Sequence, residues 1–249
     1  MINQKDIFSR VERLLGNEAF EIIAQKKVIL FGVGGVGSWC AECLIRTGIS
    51  HLTIVDTDIV SASNINRQLM ATINSVGRVK VDAMKEHLLT INPDAEITAL
   101  KELFSKENAH SFNLEDYDYI IDAIDSLKDK AELIIRATAT NAVFFSSMGA
   151  ALKLDPTRIR VAQFWKVEGD PLAKALRRRF RKDNIYPSKK FLCVYSDEIM
   201  QNKGDEMEKS DDLNPQIMKA QINGSLAHIT AIFGNTLAGL VIQHITYNA

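Results

Sequence analysis

The first cluster whose residue types and spacing could do chemistry is Gly32-Val-Gly34-Gly35-Val-Gly37. It fits G-x-G-x-x-G, directly after the apolar run at 27–31 and opening a helical pattern at 36–47. Glycine permits a tight turn and a close approach of backbone to phosphate. The helix that follows presents free N–H groups and the positive end of its dipole. Asp56 ends the next apolar run, 19 residues beyond Gly37. A carboxylate there is placed to hold a ribose hydroxyl. Loop and carboxylate together imply a nucleotide, and they suit NAD as well as ATP. The plainer reading is a glycine-rich packing turn, which the strand, helix and Asp56 in register argue against.

The residues after Asp56 separate the two nucleotides. Arg67 and Lys80 follow within 24 positions. Hydride transfer gives an Arg and a Lys at the phosphate end no evident task. Nucleotidyl transfer does, because charge builds on the α-phosphate and the leaving pyrophosphate. Further on, Asp122 and Asp125 stand at the C-terminal end of another strand-like run, next to Ser126. Ligands bind at that edge of open α/β sheets, and a carboxylate there can hold Mg²⁺ against phosphate oxygens.

Positioning these groups takes an alternating framework. Apolar, β-rich runs at 27–31, 52–55, 96–100, 117–121 and 142–147 predict strands. Helical patterns at 36–47, 79–91 and 126–140 fall between them, and 5–24 reads as two short helices around Gly16. This alternation predicts βαβ units and an α/β, Rossmann-like, mainly parallel sheet flanked by helices. The nucleotide-binding core is expected at 25–149 of one domain spanning 1–249. The remainder, 150–249, is expected to add a strand at 158–164, a basic helix at 171–182 and a short strand at 191–195. A polar stretch at 196–215 with seven acidic residues is expected to be a mobile loop.

Composition narrows the class. The 249 residues are 46% hydrophobic and 24% charged, as in ordinary globular proteins. Thirty basic against 31 acidic residues leave a net charge of −1, so any RNA contact must come from a local patch. Three cysteines build no disulfide framework, and 1–16 lacks a signal-peptide apolar core, so a cytoplasmic location is expected. From 221 to 249 there is no Asp, Glu, Lys or Arg. A membrane span needs roughly 20 predominantly apolar residues. Here His228, Asn235, Gln243 and His244 interrupt, and Leu226, Ile229, Phe233, Leu237, Leu240 and Val241 recur at helical spacing. A buried or subunit-interface helix is expected, not a span.

These motifs resemble the ubiquitin-activating-enzyme-like (E1-like) adenylating proteins that include ThiF and MoeB. The matching residues are Gly32–Gly37, Asp56, Asp58, Ser63, Asn64, Arg67, Gln68, Lys80 and Asp125. The resemblance implies an adenylyltransferase-type ATP site built from Gly32, Gly34, Gly35, Gly37, Asp56, Asp58, Ser63, Asn64, Arg67, Gln68, Lys80, Asp125 and Ser126. In it Asp56 takes the ribose, Asn64, Arg67 and Lys80 take the phosphates, and Asp125 takes Mg²⁺. Arg67, Lys80 and Asp125 carry catalysis. It also implies a homodimer in which an N-terminal Arg of one subunit reaches the other's nucleotide, by spacing to Gly16 Arg10, with Arg13 the runner-up. A structural monovalent cation is compatible with it.

The second half resembles one branch of that family, the tRNA threonylcarbamoyladenosine dehydratases, through Ser147–Ile159, Asp170-Pro-Leu-Ala173, Arg177-x-x-x-Arg181-Lys182, Cys193–Ser196 and Gly224–Gly234. The branch implies ATP-dependent cyclisation of the threonylcarbamoyl group on adenosine 37 of ANN-decoding tRNAs, with a cysteine desulfurase or sulfur-acceptor relay protein as a further partner. Lys174, Arg177, Arg178, Arg179, Arg181 and Lys182 lie within nine residues without an acid between them. Lys174, Arg177, Arg178, Arg181 and Lys182 are therefore candidate tRNA-phosphate contacts on a helix anchored by Leu176 and Phe180. The same run could be an ordinary solvated face. Four ligands close a Zn site. Here there is one CxxC pair, Cys40 and Cys43, and a lone Cys193, so no Zn is expected and all three are read as core. The alternatives are an activator of a ubiquitin-like or sulfur-carrier protein, an NAD-dependent oxidoreductase, which leaves Arg67, Lys80 and Asp125 idle, and a non-catalytic nucleotide-binding scaffold.

Overall fold

A computed structural model of the protein describes residues 4–204 and 223–248. Helices α1 (Gln4–Leu15) and α2 (Asn17–Gln25) precede the sheet. The alternating unit follows: β1 (Lys27–Phe31), α3 (Gly37–Arg46), β2 (His51–Val55), α4 (Lys80–Leu89), β3 (Glu96–Leu100), β4 (Tyr119–Asp122), α5 (Leu127–Ala139) and β5 (Val143–Ser147). The second half supplies β6 (Ile159–Gln163), α6 (Pro171–Asp183), β7 (Leu192–Ser196) and α7 (Ala227–Tyr247).

The seven strands lie in the order β3-β2-β1-β4-β5-β7-β6. Every pairing is parallel except that of the edge strand β6 with β7. Parallel strands need helices on both faces, which is why β1 is apolar at every position from Val28 to Phe31. Alternate side chains serve opposite layers. Val28 and Leu30 join Leu52, Ile54 and Ile121 on the face covered by α3, α4 and α7, whereas Ile29 and Phe31 join Ile120 and Phe144 beneath α5 and α6. These four side chains, Val28 to Phe31, are fully buried. Each contributes about 1.5–3 kcal/mol of apolar burial.

The sequence expectations hold at the element level, with boundary shifts. The strand expected at 117–121 runs from Tyr119 to Asp122, so Asp122 is itself a strand residue. The stretch expected to loop from 196 opens on the last, buried residue of β7, and positions 205–215 of it lie outside the described residues.

Helix α7 is long and apolar enough to cross a membrane, and it packs in the core instead. Ile229, Phe233, Leu237, Ala238 and Val241 are fully buried. Leu226 precedes the helix and is 41% exposed, outside the apolar stripe expected of it. His244 Nδ1 sits 2.9 Å from the Tyr119 hydroxyl of β4.

Candidate active site

A cavity of about 690 Å³ runs across the C-terminal edge of the sheet. The chain leaves β2 at Asp56, β1 at Gly32, β4 at Ala123, β5 at Met148 and β7 at Asp197, so the strand order spreads these segments along one edge. The cavity is lined by Gly32, Gly34, Gly35, Asp56, Asp58, Arg67, Gln68, Lys80, Asp125 and Ser126. The fold thus brings together groups separated by up to 94 positions.

The glycine loop is dictated by crowding. Gly32 has φ +88, and a Cβ there would lie 2.7 Å from the Ala123 carbonyl. A Cβ on Gly37 would lie 1.8 Å from the Gly32 carbonyl, so neither position admits a side chain. Helix α3 starts without a side-chain cap; Ser38 N donates to Gly34 O at 3.1 Å, and the other N–H groups of the first turn are left for a ligand. Asp56 ties the loop to β2: its Oδ2 accepts from Val33 N at 2.7 Å and its Oδ1 from Asp58 N at 2.9 Å. Each carboxylate oxygen keeps a second lone-pair site for a hydroxyl.

The cations are held by neighbours rather than free. Lys80 is 5% exposed and its Nζ donates to Asp58 Oδ2 at 2.7 Å. A buried ammonium needs such a partner, and a phosphate oxygen is an alternative one. Arg67 Nη1 donates to Ser63 O at 2.9 Å and to Asn66 Oδ1 at 2.8 Å. Gln68 is 6% exposed, and its Oε1 is buried without a partner.

The two aspartates after β4 divide. Asp122 is fully buried and bonded to Lys130 Nζ and Ser146 Oγ, both at 2.7 Å. Asp125 is exposed at the cavity wall. Ser126 caps α5 by accepting from Asp129 N, and also lines the cavity.

With this geometry the chain can be set beside known proteins. A profile of the ThiF family matches residues 8–248. The chain belongs to the ThiF family. It is 38% identical over 239 residues to the tRNA threonylcarbamoyladenosine dehydratase of Bacillus subtilis, covering 95% of this chain and 93% of that protein. It is 37% identical over 198 residues to the Escherichia coli protein of the same name, covering 78% and 74%. The solved E. coli dehydratase in complex with ATP superposes with a TM-score of 0.86 at 30% identity, over 100% of this chain and 98% of that one.

Some residues expected at the site of this ThiF-family chain are not on the cavity wall itself. Ser63 and Asn64 do not line the cavity. Asn64 Oδ1 accepts from Ser61 N in a reciprocal cap, because the short helical turn before Arg67 needs its first N–H groups satisfied. Ser63 Oγ lies 3.0 Å from Ser61 Oγ, and its carbonyl holds Arg67. Arg10 is exposed on α1 and away from this chain's own cavity.

Helix α6 corrects the basic patch. Ala173, Leu176 and Phe180 anchor it, and Lys174, Arg178, Arg181 and Lys182 are exposed. Arg177 turns inward: Nη1 donates to Phe164 O at 3.0 Å and Val167 O at 2.7 Å, with the guanidinium over the Phe164 ring. Its Nη1 is thus taken up by two loop carbonyls rather than pointing into solvent like its four exposed neighbours.

Cys40 and Cys193 are fully buried, and burial pushes both thiols well up. Cys43 is partly buried and is pushed up for the same reason.

Sequence reasoning assigned no role to Lys153 and Asp170, which also line the cavity and are 4% and 2% exposed. Asp170 before Pro171 signals a helix cap, and it is one: Oδ1 accepts from Ala173 N at 2.8 Å. Nothing in the sequence marks its second oxygen.

Proposed function

We propose that this chain is an ATP-dependent tRNA threonylcarbamoyladenosine dehydratase. It adenylylates the carboxylate of N6-threonylcarbamoyladenosine at position 37 and promotes its cyclisation. The carrying observation is the similarity to the B. subtilis dehydratase, which runs through the second half of the chain as well as the nucleotide core.

The chemistry suits the cavity. A carboxylate is a poor electrophile, and adenylylation makes it a mixed anhydride with AMP as leaving group. Arg67 and Lys80 supply positive charge where the α-phosphate and departing pyrophosphate gain negative charge. Asp56 anchors the ribose, while the glycine loop and the start of α3 take phosphate oxygens. The substrate's own carbamoyl group then closes the ring, and tethering gives it a high effective molarity. No protein nucleophile is needed, which agrees with buried, high-pKa thiols.

Mg²⁺ fits the donor set. It binds through one or two carboxylates completed by substrate phosphates and water, and Asp125 is an unburied carboxylate on the cavity wall. Among the described residues no group of three His, Cys, Asp or Glu side chains forms a cage of its own. Asp125 would hold the ion, which would neutralise phosphate charge. We assign tRNA-phosphate contacts to Lys174, Arg178, Arg181 and Lys182, the trans nucleotide contact to Arg10 in a homodimer, and the cytoplasm as the location.

The test is pyrophosphate release from ATP with threonylcarbamoylated tRNA, with unmodified tRNA and without RNA. Release and cyclic product that depend on the modified tRNA are expected. Release that depends instead on a small carrier protein ending in Gly-Gly would replace this reading with the activating-enzyme one.

A further inference from the structure

The cavity is longer than its nucleotide residues require. Asp56 stands over β2, whereas Lys153 and Asp170 stand at the end served by β5 and β7. Neighbouring strands lie roughly 4.8 Å apart, so that end is roughly 14–19 Å from the β2 edge. A nucleotide with its ribose at Asp56 and its phosphates toward Asp125 leaves the β5–β7 end for the acyl group.

Asp170 Oδ1 is engaged as a helix cap, and Oδ2 is buried without a hydrogen-bond partner. The neighbouring Lys153 Nζ donates to Ser196 O at 3.0 Å and Glu198 O at 2.7 Å, and no bond from it reaches Oδ2. A Cβ on Gly149 would lie 3.5 Å from Oδ2, in ordinary van der Waals contact, which places the cavity-lining Gly149 beside that oxygen. The Gly149 and Leu172 N–H groups lie near enough to pull on the carboxylate, yet none meets hydrogen-bond geometry at Oδ2; a buried oxygen left so is costly, and a ligand N–H or O–H reaching it from the cavity would relieve that cost. Burial, the largest influence, raises the Asp170 pKa, against the pull of Lys153 and nearby backbone N–H groups. A raised pKa strengthens it as a base.

Ring closure releases one such proton. The carbamoyl group attacks the acyl carbon of the adenylate and a ring bond forms. The acyl carbon–oxygen bond to phosphate breaks, and AMP leaves with its electron pair. A ureido N–H bond breaks, its electrons stay in the urea, and the proton must go to an acceptor. We propose that Asp170 Oδ2 is that acceptor and that the β5–β7 end of the cavity is the threonylcarbamoyl subsite, an assignment that rests on the dehydratase reading.

Single-turnover reactions of the full chain with ATP and threonylcarbamoylated tRNA test it, with pyrophosphate and cyclic product measured separately and the acyl adenylate trapped by hydroxylamine. Asp170→Asn and Asp170→Ser both keep a helix cap. In a variant that binds ATP as the wild type does, ring closure should fall about 100-fold, far more than pyrophosphate release, and the trapped hydroxamate should accumulate. Equal loss of both steps, or product at the wild-type rate, would overturn the assignment. So would loss of ATP binding in both variants, which would make Asp170 a structural cap. Failure of the wild-type protein to form cyclic product would instead count against the dehydratase reading.

Discussion

Asp122 and Asp125 are three residues apart and do different jobs. Asp122 is the last residue of β4, fully buried against Lys130 and Ser146; Asp125 has left the sheet and meets solvent at the cavity. Removing one partner of a buried ion pair costs about 3–5 kcal/mol, since the other is stranded. Lys130→Met should therefore lower the unfolding free energy by about that much in a denaturant titration. Asp125→Ala should leave the melting temperature near wild type and abolish adenylylation, and pyrophosphate release from the folded variant would contradict its role. Arg67→Ala should slow adenylylation about 100-fold or more with the fold intact, which a scaffold protein would not register. The thiols give a pH test. Burial raises the pKa of Cys40 and Cys193, so their reactive thiolates are scarcer than usual at any pH below it. Both should resist alkylation at pH 8 in the native protein and react on unfolding, as peptide mapping would show.

At the scale of the element, α6 shows how a charge run divides once it is seated. Three of its residues face the core, Arg177 caps two carbonyls, and four cations stay in solvent. Reversing Lys174, Arg178, Arg181 and Lys182 to Glu should weaken tRNA binding and flatten its dependence on salt, with ATP binding retained. An unchanged salt slope in a filter-binding titration would remove the assignment. The strands were legible as apolar β-rich runs, and the helices as repeats closed by Gly48 or by Asn92-Pro93. Their exact ends were not, because caps such as the Asn64–Ser61 pair depend on local hydrogen bonds that residue type alone leaves open.

Across the whole molecule, the site is proposed to be shared between two chains. Arg10 lies on the outside of its own chain, away from its own cavity. If it serves a partner's nucleotide, Arg10→Ala and Asp125→Ala proteins should each be inactive. Mixed, they should recover activity, because one site of the mixed dimer has both residues intact. No recovery after subunit exchange would place Arg10 outside the active site. Helix α7 carries the opposite lesson about scale. Its composition passes for a membrane span, and one face of it, from Ile229 to Ile245, is buried against α3 and the sheet.

The sequence alone determined the alternation that builds the sheet, the glycine loop with Asp56, and the cations and carboxylate that the fold gathers at one cavity. These follow from residue types at fixed spacing along one chain, where period and turn chemistry act locally. The tertiary structure decided what depends on neighbours distant in sequence. It buried Asp122 and left Asp125 open, engaged Arg177 with loop carbonyls, and set the Ser63 carbonyl to hold Arg67. It also left one oxygen of Asp170 buried and unpaired at the far end of the cavity. Burial and hydrogen-bond satisfaction are properties of the packed molecule, and no spacing in the sequence encodes them.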